Sequence, residues 1–321
     1  MLTALLLAVT IDHMRIAAAD RLIERDDEVA AYIEAQFNTL VLYDIEDGLP
    51  KSEERIAYET SFARGHGLSI LLGKPTEAQA PLLPGRRRAV VNVAPDDEIR
   101  ARLRLWESYG SDVIIGVFFV HDDVFLLQTS VERQRHLYAL SHETVPALPV
   151  LAIIGEFGFD ATAADVDRYF DPAAFDHLLV LMYPLNVGHV TGVTLDSARS
   201  ADPDSDMRGY VRRYMARMRE KFISRLHPGQ LAILVVQAFA YDVETVGHVP
   251  RPPDIMIEAT LGNDLLHSIP GQELNHAVAY FLWDGSRGGM FGLWQRGDWM
   301  TVAESVNRLE ELRGRRVGIN P

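Results

Sequence analysis

The chain has 321 residues, 48% of them hydrophobic and 24% charged. That mixture excludes disordered, collagenous and coiled-coil chains and suits two ordinary domains or one large α/β barrel. Its 31 Lys and Arg stand against 45 Asp and Glu, a net charge of −14, which repels phosphate backbones and argues against a nucleic-acid partner. Cysteine is absent, which removes disulfides, thiolate nucleophiles, zinc ribbons and iron–sulfur clusters together.

The first apolar run, Ala4–Ile11, has no basic residue before it, and Asp12, His13 and Arg15 follow closely. A secretory leader has a basic start and a small-residue cleavage site, so the run reads as a buried strand, with a secretion signal as the alternative. Ile16–Phe37 then carries Ile16, Leu22, Ile23, Val29, Ile33 and Phe37 near one stripe, which predicts a helix. Strands are predicted at Thr39–Tyr43 and Leu68–Leu72, and a helix at Asp96–Tyr109, where Pro95 and an acidic first turn mark the start. Further along, strands Val113–Val120, Val150–Ile154, Leu178–Met182, Leu231–Val236 and Met290–Trp294 alternate with helices Val131–His142, Met207–Leu226, Gln272–Trp283 and Thr301–Leu312. Each strand is short and almost continuously apolar, as parallel strands covered on both faces must be.

Eight strands separated by helices predict an α/β fold of the (β/α)8 TIM-barrel class, spanning residues 1–321 as a single domain. An open doubly wound sheet is the competitor, and it lacks a convincing phosphate-binding turn. Extended loops are expected after strands three, six and seven, at Lys74–Val93, Asn186–Asp206 and Asp242–Ile269. No apolar stretch reaches the ~18 residues of a membrane helix. No membrane insertion is therefore expected, and the location is expected to be cytoplasmic or released, as for a virion component.

Several chemistries fall away on inspection. Gly65-His66-Gly67 precedes a strand instead of following one, and Gly73-Lys74-Pro75 lacks the remaining residues of a phosphate-binding loop. There is no His-Glu-x-x-His and no Gly-x-Ser-x-Gly. The first strand ends in Asp12-His13 without a His-x-His pair, so neither a metal nor a cofactor is expected. What remains is a set of carboxylates, amides and aromatics at strand C-termini, where barrel active sites assemble. They are Asp44, Asp122 and Asp123, Glu156, Tyr183 and Asn186, Gln237, Tyr241 and Asp242, and Trp294. Carboxylates beside aromatic platforms suit a sugar: one acid protonates the glycosidic oxygen, a second acts as base or nucleophile, and an aromatic ring stacks on the sugar. Each also has a plainer role as a helix cap, solvated surface or packing residue.

The strand-end pattern resembles the TIM-barrel glycoside hydrolase-like proteins related to the large retaining-glycosidase clan. It is carried by Phe37–Asp44, Ala63–Gly73, Val113–Asp123, Leu181–Pro184 and Leu234–Phe239, short pieces spread over most of the chain. In that group strand four commonly ends in Asp-Glu-Pro or Asn-Glu-Pro, with the Glu as general acid/base. Here the corresponding residues are Asp122-Asp123-Val124, which the resemblance makes an acid/base at Asp123 with a side chain one methylene shorter. The clan nucleophile, a Glu at the end of strand seven, has as its nearest counterparts Asp242 and Glu244.

Two functions stay open at this point. One is hydrolysis of a poly- or oligosaccharide, with Asp123 as acid, Glu156 or Asp242 as the second carboxylate and Asp122 as an orienting partner. Asp44, Tyr183, Asn186, Gln237, Tyr241 and Trp294 would then contact the sugar. The other is a non-catalytic carbohydrate-binding or structural barrel within a larger cell-surface or phage-tail assembly. A third, weaker reading is a barrel isomerase or lyase acting through one carboxylate and Tyr183.

Overall fold

The computed structural model describes residues 10–19, 22–46, 49–73, 78–79, 91–92, 94–119, 124–125, 128–185, 201–241, 249–283 and 290–317. Eight parallel strands close into a barrel: β1 (Arg15–Ala18), β2 (Thr39–Tyr43), β3 (Ser69–Gly73), β4 (Ile114–Phe118), β5 (Val150–Ile154), β6 (His177–Met182), β7 (Ala232–Gln237) and β8 (Val278–Phe281). The helices following them are α1 (Asp26–Glu34), α2 (Glu53–Gly65), α3 (Asp96–Gly110), α4 (Val131–Thr144), α5 (Ala163–Tyr169), α6 (Pro203–Lys221), α7 (Pro252–His267) and α8 (Gly297–Val317). Each strand is thus followed by a helix of the outer ring, with one extra short helix, Glu156–Phe159, directly after β5, the (β/α)8 arrangement.

The strand sequences explain the closure. In β5, Leu151 and Ile153 join the cluster that fills the barrel, while Val150, Ala152 and Ile154 pack under the helices. In β7, Ile233 and Val235 point in, and Ala232, Leu234 and Val236 point out. Two buried faces demand an unbroken apolar run, as the sequence shows. Interior space is tight at Gly116, where a Cβ would lie 2.7 Å from Leu151 Cδ1 and 3.1 Å from Leu71 Cδ1. The N-terminal end of the barrel is closed by the single turn Ile11–His13, which delivers Ile11 and Met14 to the inner cluster.

Helix starts follow local chemistry. Ser52 accepts from the Arg55 amide at the start of α2, and Ser130 from the Arg133 amide at the start of α4. Asp202 caps α6, whose first residue is Pro203, and Thr162 and Asp165 form a capping box at α5. These partners satisfy amides that have no acceptor inside the helix. In α3 the buried residues Ile99, Leu103, Trp106 and Gly110 form one stripe that lies on the barrel.

Both ends of the predicted strand series need correction. The first barrel strand is Arg15–Ala18, inside the segment expected to be a helix over Ile16–Phe37. Of the Ala4–Ile11 run, residues 4–9 lie outside the described residues and Ile11 belongs to the basal turn. The eighth strand is Val278–Phe281, inside the predicted helix Gln272–Trp283. Met290–Phe291 pairs antiparallel with Ala240–Tyr241 in a small ribbon apart from the barrel. Most of Asp242–Ile269 is helix α7 and not loop, whereas Lys74–Val93 and Asn186–Asp206 fall largely outside the described residues. Strand β1 pairs with β8 along four residues, Arg15↔Val278 to Ala18↔Phe281, but with β2 only at Ile16↔Thr39.

Candidate functional site

Barrel active sites lie at the strand C-termini, and here that mouth is aromatic. Tyr43 ends β2 and Phe118 ends β4, their rings edge to face at 6.0 Å. Between them Gly73 ends β3, and a Cβ there would come within 2.7 Å of both rings, so only glycine lets the two meet. Across the mouth, Tyr183 follows β6, 5.1 Å from Phe239 and 6.0 Å from Phe281, and Phe239 lies 5.4 Å from Phe281. Tyr43, Tyr183 and Phe281 are partly exposed, whereas Phe118 and Phe239 are buried. The edge-to-face angles of 84–88° place ring edges, which are electropositive, against ring faces. The Phe281–Leu282 peptide bond is cis.

The predicted site residues divide into four groups. Tyr183 lies at the mouth beside the inner cluster. Asp122, Asp123, Asn186 and Asp242 lie outside the described residues. Glu156 and Tyr241 are placed by their backbones: Glu156 opens the short helix Glu156–Phe159 directly after β5, and Tyr241 pairs with Met290.

Asp44, Gln237 and Trp294 are engaged elsewhere. Asp44 is buried in the helix layer and not turned into the mouth. Its carboxylate accepts from Arg102 Nε at 2.9 Å, from Arg102 Nη2, and from Trp106 Nε1 at 2.6 Å. The reason is alternation: Val41 and Tyr43 face inward, so the next residue faces out. Burial raises the Asp44 pKa above the ordinary carboxylate value, outweighing the opposite pull of Arg102 and Trp106. Gln237, only 1% exposed, accepts from the Leu185 amide at 2.8 Å and donates to the Phe239 carbonyl at 3.3 Å. Its own amide donates to Glu258 on α7 at 3.0 Å. Its side chain thus holds the ends of β6 and β7 together. Trp294 lies in the turn Leu293–Gln295, stacked on Trp283 at 5.6 Å with the Arg25 guanidinium 6.0 Å from its ring, against the outer core.

Tyr43, Phe118, Phe239 and Phe281 were missed as mouth residues. The signal was present: Tyr43 and Phe118 are the last residues of their strands, in phase with inward partners two positions earlier or across the ladder.

No protein-family model matches the chain, and no curated protein matches it in sequence. Its fold is shared with solved glycoside hydrolases. A Glycoside Hydrolase Family 5 mannosidase from Rhizomucor miehei superposes with a TM-score of 0.59 at 11% identity, over 96% of this chain and 94% of that one. A chitinase from Chromobacterium violaceum gives 0.52 at 10% identity, over 91% and 98%. A family 2 β-galacturonidase from Eisenbergiella tayi gives 0.51 at 13% identity. This chain is covered to 88% in that match but spans only 46% of the larger enzyme. At such identities the likeness is one of fold. Among the described residues no helix is long and apolar enough to cross a membrane.

Proposed function

We propose that this protein is a carbohydrate-directed barrel of the glycoside hydrolase type, with residues 1–321 acting as one unit. The observation that supports it most is the aromatic mouth formed by Tyr43, Phe118, Tyr183, Phe239 and Phe281 at the C-terminal end of a closed barrel. Flat apolar faces suit the C–H faces of pyranose rings, and the partly exposed Tyr43 and Tyr183 add a hydroxyl to an apolar body. In this reading Asp123, after β4, protonates the glycosidic oxygen, with Asp122 orienting it. Glu156, after β5, or Asp242, after the Ala240–Tyr241 ribbon strand, supplies the second carboxylate. Asn186 and Tyr241 would contact sugar hydroxyls. The separation of the two carboxyls sets the outcome: ~5–5.5 Å gives retention through a covalent intermediate, ~6.5–9.5 Å gives inversion by an activated water.

A second reading, binding without cleavage, is favoured by a specific observation. Two of the polar groups expected in the site, Asp44 and Gln237, are committed to Arg102 and Trp106 and to backbone partners. The Asp122-Asp123-Val124 stretch also departs from the motif of active relatives. Such a module would serve as the carbohydrate-recognising part of a larger assembly.

Reducing-sugar release across a glycan panel, for wild type, Asp123→Asn, Glu156→Gln and Tyr183→Ala, tests both. An enzyme loses at least ~100-fold in turnover in a carboxylate variant. A binding barrel shows no turnover, keeps affinity in both carboxylate variants and loses it in Tyr183→Ala. A folded protein that neither binds nor cleaves any glycan refutes the carbohydrate reading.

A further inference from the structure

At the opposite end of the barrel, below the strand N-termini, three segments bring titratable groups together. His267 ends α7, His276 precedes β8, and Glu310 lies on α8, with one potential ligand atom from each lying within 4.8 Å of the others. His276 and Glu310 are 5% and 0% exposed. This constellation is far from the aromatic mouth and independent of the function proposed there.

We infer that His267, His276 and Glu310 form a binding site for a divalent cation of the zinc class. The donor set, two imidazoles and one carboxylate, suits borderline ions such as Zn²⁺ and not the all-oxygen shells of Mg²⁺ or Ca²⁺. His276 Nδ1 lies 3.5 Å from Glu310 Oε2, longer than the ~2.7–2.9 Å of a charge-assisted hydrogen bond. With metal–ligand bonds of ~2.0–2.2 Å, the edge of a tetrahedral zinc site is ~3.4 Å, close to that separation. The other nitrogen of His276, Nε2, is buried and has no hydrogen-bond partner among the described residues. A buried imidazole with no normal hydrogen bond at either nitrogen is unsatisfied, and a cation removes the deficit at the nitrogen it takes.

The surroundings are those of a ligand set held in position. His267 Nε2 meets the Asn275 carbonyl; donating there places the His267 lone pair on Nδ1, the nitrogen a metal needs. Glu310 Oε1 accepts from Arg313 Nη1 at 2.7 Å, and Arg313 Nη2 donates to Asp264 at 2.7 Å. Two carboxylates share one guanidinium, which leaves one negative charge to meet a cation. Gly314 makes the room: a Cβ there would lie 2.8 Å from His13 Cε1 and 3.2 Å from His276 Cδ2. His13 stacks on His276 at 5.6 Å, and an ion held by three protein ligands would take water as its fourth. Joining α7, β8 and α8, the ion would clamp the last two β/α units of the barrel.

The test is calorimetric titration of the EDTA-stripped 321-residue chain with Zn²⁺ alone, with Mg²⁺ as control. One saturable Zn²⁺ site is expected, with a Tm rise of about 4 °C at 100-fold excess over Kd, and no response to Mg²⁺. His267→Gln and Glu310→Gln are each expected to weaken Zn²⁺ at least ~10-fold, while His66→Gln, at an exposed histidine elsewhere, leaves it unchanged. Co²⁺ in the wild type is expected to give the visible absorption of a four-coordinate ion, a readout that survives should Glu310→Gln fail to fold. No saturable site in the wild type overturns the inference. So does an affinity unchanged in folded His267→Gln, or a purely octahedral Co²⁺ spectrum.

Discussion

Asp44→Ala removes the carboxylate that Arg102 and Trp106 share beneath the mouth of the barrel. Asp44 is 1% exposed and the Arg102 side chain 13%, so water does not replace the lost acceptor. Among the described residues the guanidinium keeps only the Lys51 carbonyl, 2.9 Å from Nη2, and the indole N–H keeps no acceptor. Breaking a buried pair from one side costs ~3–5 kcal/mol, most of it from the stranded charge. With an unfolding entropy of ~2.1 cal/mol/K per residue, that lowers Tm by about 5–7 °C for a chain of this length. Asp44→Asn, which leaves one amide oxygen for two donors, is expected to fall between wild type and Asp44→Ala. The double variant Asp44→Ala/Arg102→Met is expected to recover a large part of the loss, because apolar replacement of both partners strands no charge. Urea denaturation of the four proteins, with glycan binding measured alongside, separates the roles. An Asp44→Ala protein with an unchanged denaturation midpoint and abolished glycan binding would refute the outward placement of this side chain.

Two further perturbations test other parts of the fold. A Cβ at Gly292 would lie 2.4 Å from the Leu282 carbonyl oxygen, a backbone atom that cannot swing aside. Gly292→Ala is therefore expected to cost at least ~1–3 kcal/mol in thermal melts, whereas Gly65→Ala, with nothing within 4 Å, is expected to be neutral or stabilising; equal effects would show that the 292–294 segment does not pack on 282–283. His177 is held below its usual pKa of 6.5, chiefly by burial, with Asp176 and Asp12 pulling the other way. The unfolded chain then binds that proton more readily, so the contribution is present above 6.5 and is lost as pH falls through the folded value. His177→Asn, whose Oδ1 can still accept from the Leu231 amide, is expected to flatten the decline in urea midpoint between about pH 8 and about pH 5.5; parallel declines would count against this.

The barrel was legible wherever burial on two faces forced a continuous apolar run, as in Thr39–Tyr43 and Val150–Ile154, whose predicted bounds match the structure. It was illegible at β1 and β8. Arg15-Ile16-Ala17-Ala18 has one large apolar residue, and its neighbours at the barrel closure need no more. Val278–Phe281 is four residues long and sits after polar Gln272–His276, where a helical stripe can be drawn through it. The ribbon strand Met290–Phe291 carried the stronger apolar signal and drew the assignment away. At the mouth, strand ends named the right neighbourhood but not the directions. Asp44 could have been turned outward by counting two from Val41 and Tyr43. Trp294 could not, because its place depends on the ribbon and on Trp283, contacts that no local pattern encodes.

The unequal pairing of β1 has a kinetic consequence. Its ladder is completed chiefly by β8, roughly 260 positions further along the chain, and closures of such long range are slow to form. During synthesis β1 therefore waits with one edge open while the strands from β2 onwards assemble. A nascent barrel lacking only its last strand and helix presents two unpaired edges, the geometry that invites edge-to-edge association between chains. Asn307 on α8, which donates to the Ala35 carbonyl just beyond α1 at 2.8 Å, is among the last contacts to form. Folding yield, more than final stability, is where weakening that seam would first be felt.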